Sequence, residues 1–187
     1  MDNLKDKQIK LDLIKELTWP DVFEIWRQNE DYPNSHWITH WQSRGFKSWE
    51  EWRQTYVQPL GLADLKWQLY NIPEPLIILP FCHGGPFRSW VELYYHGQTA
   101  PSFSSLAQDQ KVEKNSGVQT MLKNFPVQTI ISGVIVNGEI RIVEGMHRAT
   151  ALAVAAKNGI KLNSLVKMAL AKHPEKNLPI VGRFQKD

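Results

Sequence analysis

The chain has 187 residues, 42% apolar and 22% charged, with a formal charge of +3 and one cysteine, Cys82. This length supports one sizeable core better than two, and no stretch reaches the roughly 18 to 20 apolar residues that a membrane-spanning helix needs. A single cysteine excludes an internal disulfide framework and a multi-cysteine zinc site, and fits a reducing compartment.

Charge is unevenly divided: residues 1–100 hold 10 Lys and Arg against 13 Asp and Glu, whereas residues 101–187 hold 12 against 6. The asymmetry is compatible with an anionic ligand in the C-terminal part, and equally with solvated lysines on helix faces. Met1 to Lys10 alternates Lys and Asp without the apolar region of a secretory signal, so the cytoplasm is the expected compartment.

All eight tryptophans lie between Trp19 and Trp90. Thr18 can cap a helix with Pro20 in its first turn and Trp19, Phe23 and Trp26 at helical spacing. Trp37 and Trp41, four apart, suggest a second helix. Ser48 and Glu51 suggest a capping box for a third, with Trp49, Trp52 and Tyr56 on one face. Leu62 to Tyr70, with Leu62, Leu65 and Leu69 aligned, reads as a fourth. Such aromatic stripes are expected to pack on each other and on a later sheet; the sharper alternative is a surface that stacks a base or sugar.

From Pro73 the pattern changes. Leu76 to Phe81 is a short apolar run between prolines, read as a buried strand, and leads into a turn at Cys82-His83-Gly84-Gly85-Pro86. Trp90 to Tyr95 reads as extended. Val112 to Phe125 is amphipathic through Val118, Met121, Leu122 and Phe125, with Gly117 weakening the helix. Asn137-Gly138 between the runs Thr129 to Val136 and Glu139 to Val143 is the preferred turn of a two-residue hairpin. Met146 to Asn158 follows as a helix ended by Gly159, then a strand at Leu165 to Ala171 and an irregular tail from His173. The expected division is a tryptophan-rich helical elaboration at 12–72, a core at 73–172 and a tail at 173–187, all within one domain.

Glu144-Gly145-Met146-His147-Arg148 joins the hairpin to this helix. The free amides and positive dipole end of a helix start favour an anion, Gly145 permits a tight bend, and Arg148 can fork onto phosphate oxygens. Glu144 would repel phosphates unless a divalent cation lay between, which makes Mg²⁺ the expected companion. The plainer alternative is a structural turn whose arginine pairs with a local carboxylate.

The run GEIRIVEGMHRATALAVAAKNG resembles the ParB/sulfiredoxin superfamily, in which a hairpin strand ends in an acidic-Gly-x-[His/Arg]-Arg turn and enters an alanine-rich helix. The resemblance covers about residues 125–171, with the run at Leu76 to Phe81 a further candidate strand of it, leaves the tryptophan-rich N-terminal part unmatched, and implies an α+β fold, a small mixed sheet with packed helices. In sulfiredoxins the residue between Gly and His is the catalytic cysteine; Met146 stands there and cannot do that chemistry. ParB partition proteins bind CTP through this region and continue into a helix-turn-helix, which is not expected before Asp187.

A third group, small-molecule kinases including ADP-dependent free serine kinases, carries an acidic-Gly-His-His-Arg turn. That likeness implies that Glu144 holds metal and acts with His147 in catalysis, while Gly145, Met146, His147, Arg148 and Ala149 contact the nucleotide. ATP or ADP is the expected cofactor, with CTP the alternative. His83, Gly84, Gly85 and Arg88 are candidates for a second lip of the pocket.

Glu30, Asp31 and Glu92 are candidates for the base that a phosphoryl acceptor needs, each with the competing reading of a solvated carboxylate. His36 and His40 could share zinc but read more simply as packing or surface histidines. Cys82 reads as a small buried hydrophobe. The expected function is nucleotide-dependent phosphoryl transfer to a small hydroxylated molecule. The runner-up is a CTP- or ATP-switched module or one binding nucleic acid through its basic half; a ParB-like nuclease is a third reading. No membrane partner is expected, and the sequence leaves the oligomeric state open.

Overall fold

The computed structural model describes residues 11–33 and 35–182. The reading of residues 1–10 and the end of the tail, 183–187, lie outside them. Among the described residues no helix is long and apolar enough to cross a membrane.

Strand β1 (Asp12–Leu17) leads into helix α1 (Trp19–Glu30), where Thr18 and Asp21 close a reciprocal capping box and Pro20 sits in the first turn. Helices α2 (His36–Ser43) and α3 (Trp49–Val57) start behind Ser35 and Ser48. Ser48 accepts the Glu51 amide at 3.1 Å, but the Glu51 carboxylate takes the amide of Lys47, 2.7 Å away, instead of that of Ser48.

Three expected elements are replaced. Leu62 to Tyr70 is a single 3-10 turn (Leu62–Asp64) followed by strand β2 (Trp67–Ile72). The leucine spacing is helical, yet Trp67 and Leu69 also alternate inward, and pairing with a strand about a hundred residues away decides between the two. Leu76 to Phe81 is helix α4 (Pro75–Ile78) and a 3-10 turn (Leu79–Phe81), not a strand. A four-residue apolar helix has no polar face, even with Ile77 exposed, so periodicity cannot separate it from a short apolar strand. Trp90 to Tyr95 is mostly helix α5 (Arg88–Tyr94), whose Trp90 and Tyr94 rings meet one turn apart at 5.1 Å.

Short helices α6 (Phe103–Leu106), α7 (Gln110–Glu113) and α8 (Ser116–Lys123) follow. Then come the hairpin β3 (Gln128–Val136) and β4 (Glu139–Glu144), helix α9 (Met146–Asn158) and strand β5 (Leu165–Lys172). Asn137 and Gly138 both have positive φ, 53° and 85°, as the expected hairpin turn requires. Gly159 ends α9 in the left-handed region.

The five strands lie in the order β1-β2-β5-β3-β4. Among these five strands β3 and β5 pair in parallel, whereas β1 with β2, β2 with β5 and β3 with β4 are antiparallel. The fold is therefore α+β with a mixed sheet, as expected. The N-terminal part supplies two strands of it as well as three helices.

Central strands are buried on consecutive residues, Ile131 to Val134 in β3 and Met168 to Ala171 in β5, so both sheet faces are covered. The tryptophans pack as expected. Trp26, Trp49, Trp52 and Trp67 are almost fully buried, the Trp19 ring lies 6.0 Å from Trp67, and Trp26 Nε1 donates to Ser132 Oγ at 2.9 Å, tying α1 to β3.

Candidate functional site

The β4–α9 turn is built around Gly145, whose φ of 93° suits glycine. A Cβ there would stand 3.1 Å from an Arg148 guanidinium nitrogen and 3.2 Å from Ile131, so the missing side chain lets Arg148 fold back under the turn. Ala149 N donates to Gly145 O at 2.9 Å and so is committed within the helix, with its side chain fully buried. The amides of Met146, His147 and Arg148 precede that first intrahelical bond.

Arg148 is buried and engaged. Its guanidinium binds Glu144 Oε1 and Thr129 Oγ1, and donates to Ile130 O at 3.0 Å. The other Glu144 oxygen accepts from Asn29 Nδ2 at 3.3 Å, and Asn29 also donates to Ile130 O at 3.2 Å. The local carboxylate partner that the plainer reading required is therefore Glu144 itself. A cleft of about 170 Å³ beside this cluster is lined by Gln28, Asn29, Thr129, Ile130 and Lys167 among others.

A second buried pair stands close by. Glu30 accepts from Arg53 Nε at 2.6 Å and Trp49 Nε1 at 2.9 Å, and makes a further contact to Arg53 Nη2. The Arg53 guanidinium lies 4.0 Å from the Trp52 ring centroid and 4.9 Å from that of Tyr56. Burial pushes the Glu144 carboxyl up to about 7; Arg148 pulls it down, Glu30 raises it and Arg53 lowers it, so the two pairs act on one another. Glu30, expected to be solvated, is thus a buried partner of this cluster.

His147 is half-buried. Its ring lies 5.5 Å from Trp90 and 6.3 Å from Trp37, and a Cβ on Gly117 would meet it at 2.6 Å, which explains a glycine inside α8. Burial lowers its pKa to about 4, with His36 and Arg148 adding to the effect. His36 and His40 pack on the Trp37 ring at 4.4 and 5.3 Å, and among the described residues no group of three or more His, Cys, Asp or Glu could hold a metal ion. His40 is also lowered to about 4, mainly by burial.

These shifts predict a pH dependence of stability. His40 and His147 have folded values below the ordinary 6.5, so between about 6.5 and 4 the unfolded chain binds protons that the folded chain refuses. Glu144 acts in the opposite sense: from about 4.5 to 7 the folded chain holds the proton. His36 is lowered too, by burial, so with three histidines against one carboxyl stability will fall as pH drops from 6.5 to 4.5, and His147→Gln will flatten that slope. Urea midpoints across this range check it; an unchanged slope in the variant would refute the role given to His147.

The expected second lip meets the turn where Gly85 N lies 3.4 Å from Met146 Sδ. His83 N donates to Ile140 O at 2.8 Å and His83 O accepts from Ile142 N at 3.0 Å, so the segment covers the edge of β4. Gly84 N donates to Pro101 O at 2.9 Å. A Cβ on Gly84 would fall 2.1 Å from the Tyr95 hydroxyl oxygen, and one on Gly85 would fall 2.0 Å from Ile142 O, so close packing requires both glycines. Arg88 reaches away, donating from Nε to Gly182 O at 3.1 Å, with Glu92 3.8 Å from its Nη1. Asp31 caps the end of α1. Cys82 is buried and its thiol is pushed up to about 12, in keeping with a packing role.

Asn29, Thr129 and Arg53 were not singled out from the sequence. None carries a local motif; Asn29 reaches Glu144 only because the fold brings positions 115 residues apart together. Comparison with family models, curated proteins and solved structures finds no match.

Proposed function

We propose that this chain binds the phosphates of a nucleotide, ATP or ADP, at the β4–α9 turn with Mg²⁺ at Glu144, and transfers a phosphoryl group to a small hydroxylated molecule. The observation that carries the reading is the position of Arg148. Its guanidinium is folded against Gly145 at the opening of a 13-residue helix and is paired with a carboxylate suited to a divalent cation.

Freeing one member of a buried ion pair costs about 3 to 5 kcal/mol. A magnesium nucleotide avoids that cost by offering each member a new partner, phosphate for Arg148 and metal for Glu144. Mg²⁺ needs no protein cage, because one or two carboxylates and the nucleotide's own phosphates usually suffice; bound there, it would neutralise phosphate charge. His147, neutral at pH 7 by its lowered pKa, can donate to a phosphate oxygen or accept a hydroxyl proton. Of the carboxylates considered as base, Glu30 adjoins the cluster but is held by Arg53 and Trp49, whereas Glu92 stands beside Arg88. The phosphoryl-transfer half of the proposal rests on the resemblance to the kinases.

The closed Glu144–Arg148 pair favours a second reading, a nucleotide-switched module. A ligand that opened the pair would change the charge facing Glu30 and Arg53, on α1 and α3. A thermal-shift screen of ATP, ADP, CTP and GTP with and without Mg²⁺, followed by phosphate transfer to hydroxylated acceptors, separates the readings. At a ligand concentration of about 100 Kd the native state gains about 2.7 kcal/mol, a shift of several degrees. Acceptor-stimulated turnover supports the transferase, binding without turnover supports the switch, and a folded protein that binds no nucleotide contradicts both.

A further inference from the structure

Glu139 and Arg141 alternate with Ile140 and Ile142 along β4, yet Arg141 does not face solvent. It is 8% exposed, because the Cys82–Phe87 segment lies over that edge. Its Nε is buried and, among the described residues, has no hydrogen-bond partner. Glu139 Oε2 is 3.6 Å from Nη2, beyond hydrogen-bond distance, and the Glu139 side chain is 47% exposed. Arginine cannot shed its charge, and this guanidinium is buried with its one ion-pair carboxylate, Glu139, beyond hydrogen-bond distance, so its terminal nitrogens keep donors that an anion could take.

The space for that anion is present. Arg141 lines a cleft of about 210 Å³ together with Gln98 and Thr99 of the loop after α5, and with Val91, Leu178 and Ile180 as apolar walls. One guanidinium with one amide and one hydroxyl side chain suits a monoanion, and Glu139 nearby disfavours a dianion such as a phosphate monoester. The apolar walls suit a short hydrocarbon tail.

We propose that this cleft binds a small monocarboxylate with an apolar tail, its carboxylate on Arg141 and its tail against Val91, Leu178 and Ile180. The site stands independently of the nucleotide reading, because it uses none of the residues of the β4–α9 turn.

The test is an amide NMR titration of the full chain with sodium butyrate, with sodium phosphate and sodium chloride in parallel. Butyrate will shift the amides of Gly97 to Ala100 and Arg141 saturably, and more strongly than either inorganic anion. Arg141→Met will weaken this by about tenfold or more, the loss of a charge-assisted bidentate contact, while melting no lower than the parent because a buried charge with no carboxylate at hydrogen-bond distance has been removed. If that variant fails to fold, the pair Gln98→Leu and Thr99→Val, on the exposed loop, will weaken butyrate severalfold in its place. Absence of butyrate shifts, shifts that survive Arg141→Met, or equal responses to all three anions would each overturn the proposal.

Discussion

Replacing Glu30 with alanine will lower folding stability by about 3 to 5 kcal/mol, the usual cost of removing one partner from a buried ion pair. The carboxylate is 4% exposed and holds both Arg53 and the Trp49 indole. Without it, Arg53 keeps its charge amid four aromatic rings, among them Trp52 at 4.0 Å and Tyr56 at 4.9 Å, whose faces attract a cation but cannot replace a carboxylate. Against a typical total of about 5 to 15 kcal/mol this is a large loss, equivalent to about 10 °C in melting temperature for a chain of this size.

The double variant Glu30→Leu with Arg53→Met will recover much of it, because apolar residues of similar volume often replace a buried pair at little cost. Urea denaturation of the single and double variants decides the point. A loss under about 1 kcal/mol for Glu30→Ala, the range of exposed pairs, would mean that the pair is not held as described.

Arg148→Met will weaken nucleotide binding by about 100-fold or more, since each hydrogen bond to a charged group contributes roughly 1.5 to 3 kcal/mol and a guanidinium can give phosphate two. The variant also strips Glu144 of its main counter-charge. Glu144 already sits near 7 through burial, and loss of the arginine moves it further up, so at neutral pH the carboxyl will take a proton and the chain will stay folded. Its stability will then fall more steeply than the parent's above pH 7, where the buried carboxyl must ionise without a partner. Binding and denaturation measured at pH 6.5 and 8 separate the two consequences. Unchanged nucleotide affinity in a folded Arg148→Met protein would remove Arg148 from the phosphate site.

What could be read from the sequence was what short-range chemistry decides. The Asn137-Gly138 turn needs two residues at positive φ, Thr18 and Asp21 cap each other three residues apart, and Gly159 ends α9 in a conformation that glycine adopts freely. Strand β2 was misread as helical because Leu62, Leu65 and Leu69 satisfy that period; register with β5, from Trp67 opposite Ala171 to Ile72 opposite Val166, is a property of distant chain.

The candidate site divides in the same way. Gly145, Glu144 and Arg148 lie within five residues and announce a turn with paired charges. Asn29, Thr129 and the Glu30–Arg53 pair join it through tertiary packing that no local pattern encodes. The burial of Glu30, at the end of α1, and of Arg141, which alternates with apolar neighbours in β4, leaves no mark in the local pattern. In both cases a separate segment supplies the cover: α3 for Glu30 and Cys82–Phe87 for Arg141.

The most direct test of the central claim is an amide NMR titration of the wild-type chain with ADP and ATP in the presence and absence of Mg²⁺. Saturable, Mg²⁺-dependent shifts centred on the Met146, His147 and Arg148 amides are the predicted result. A folded protein whose spectrum no magnesium nucleotide changes at those amides would contradict it.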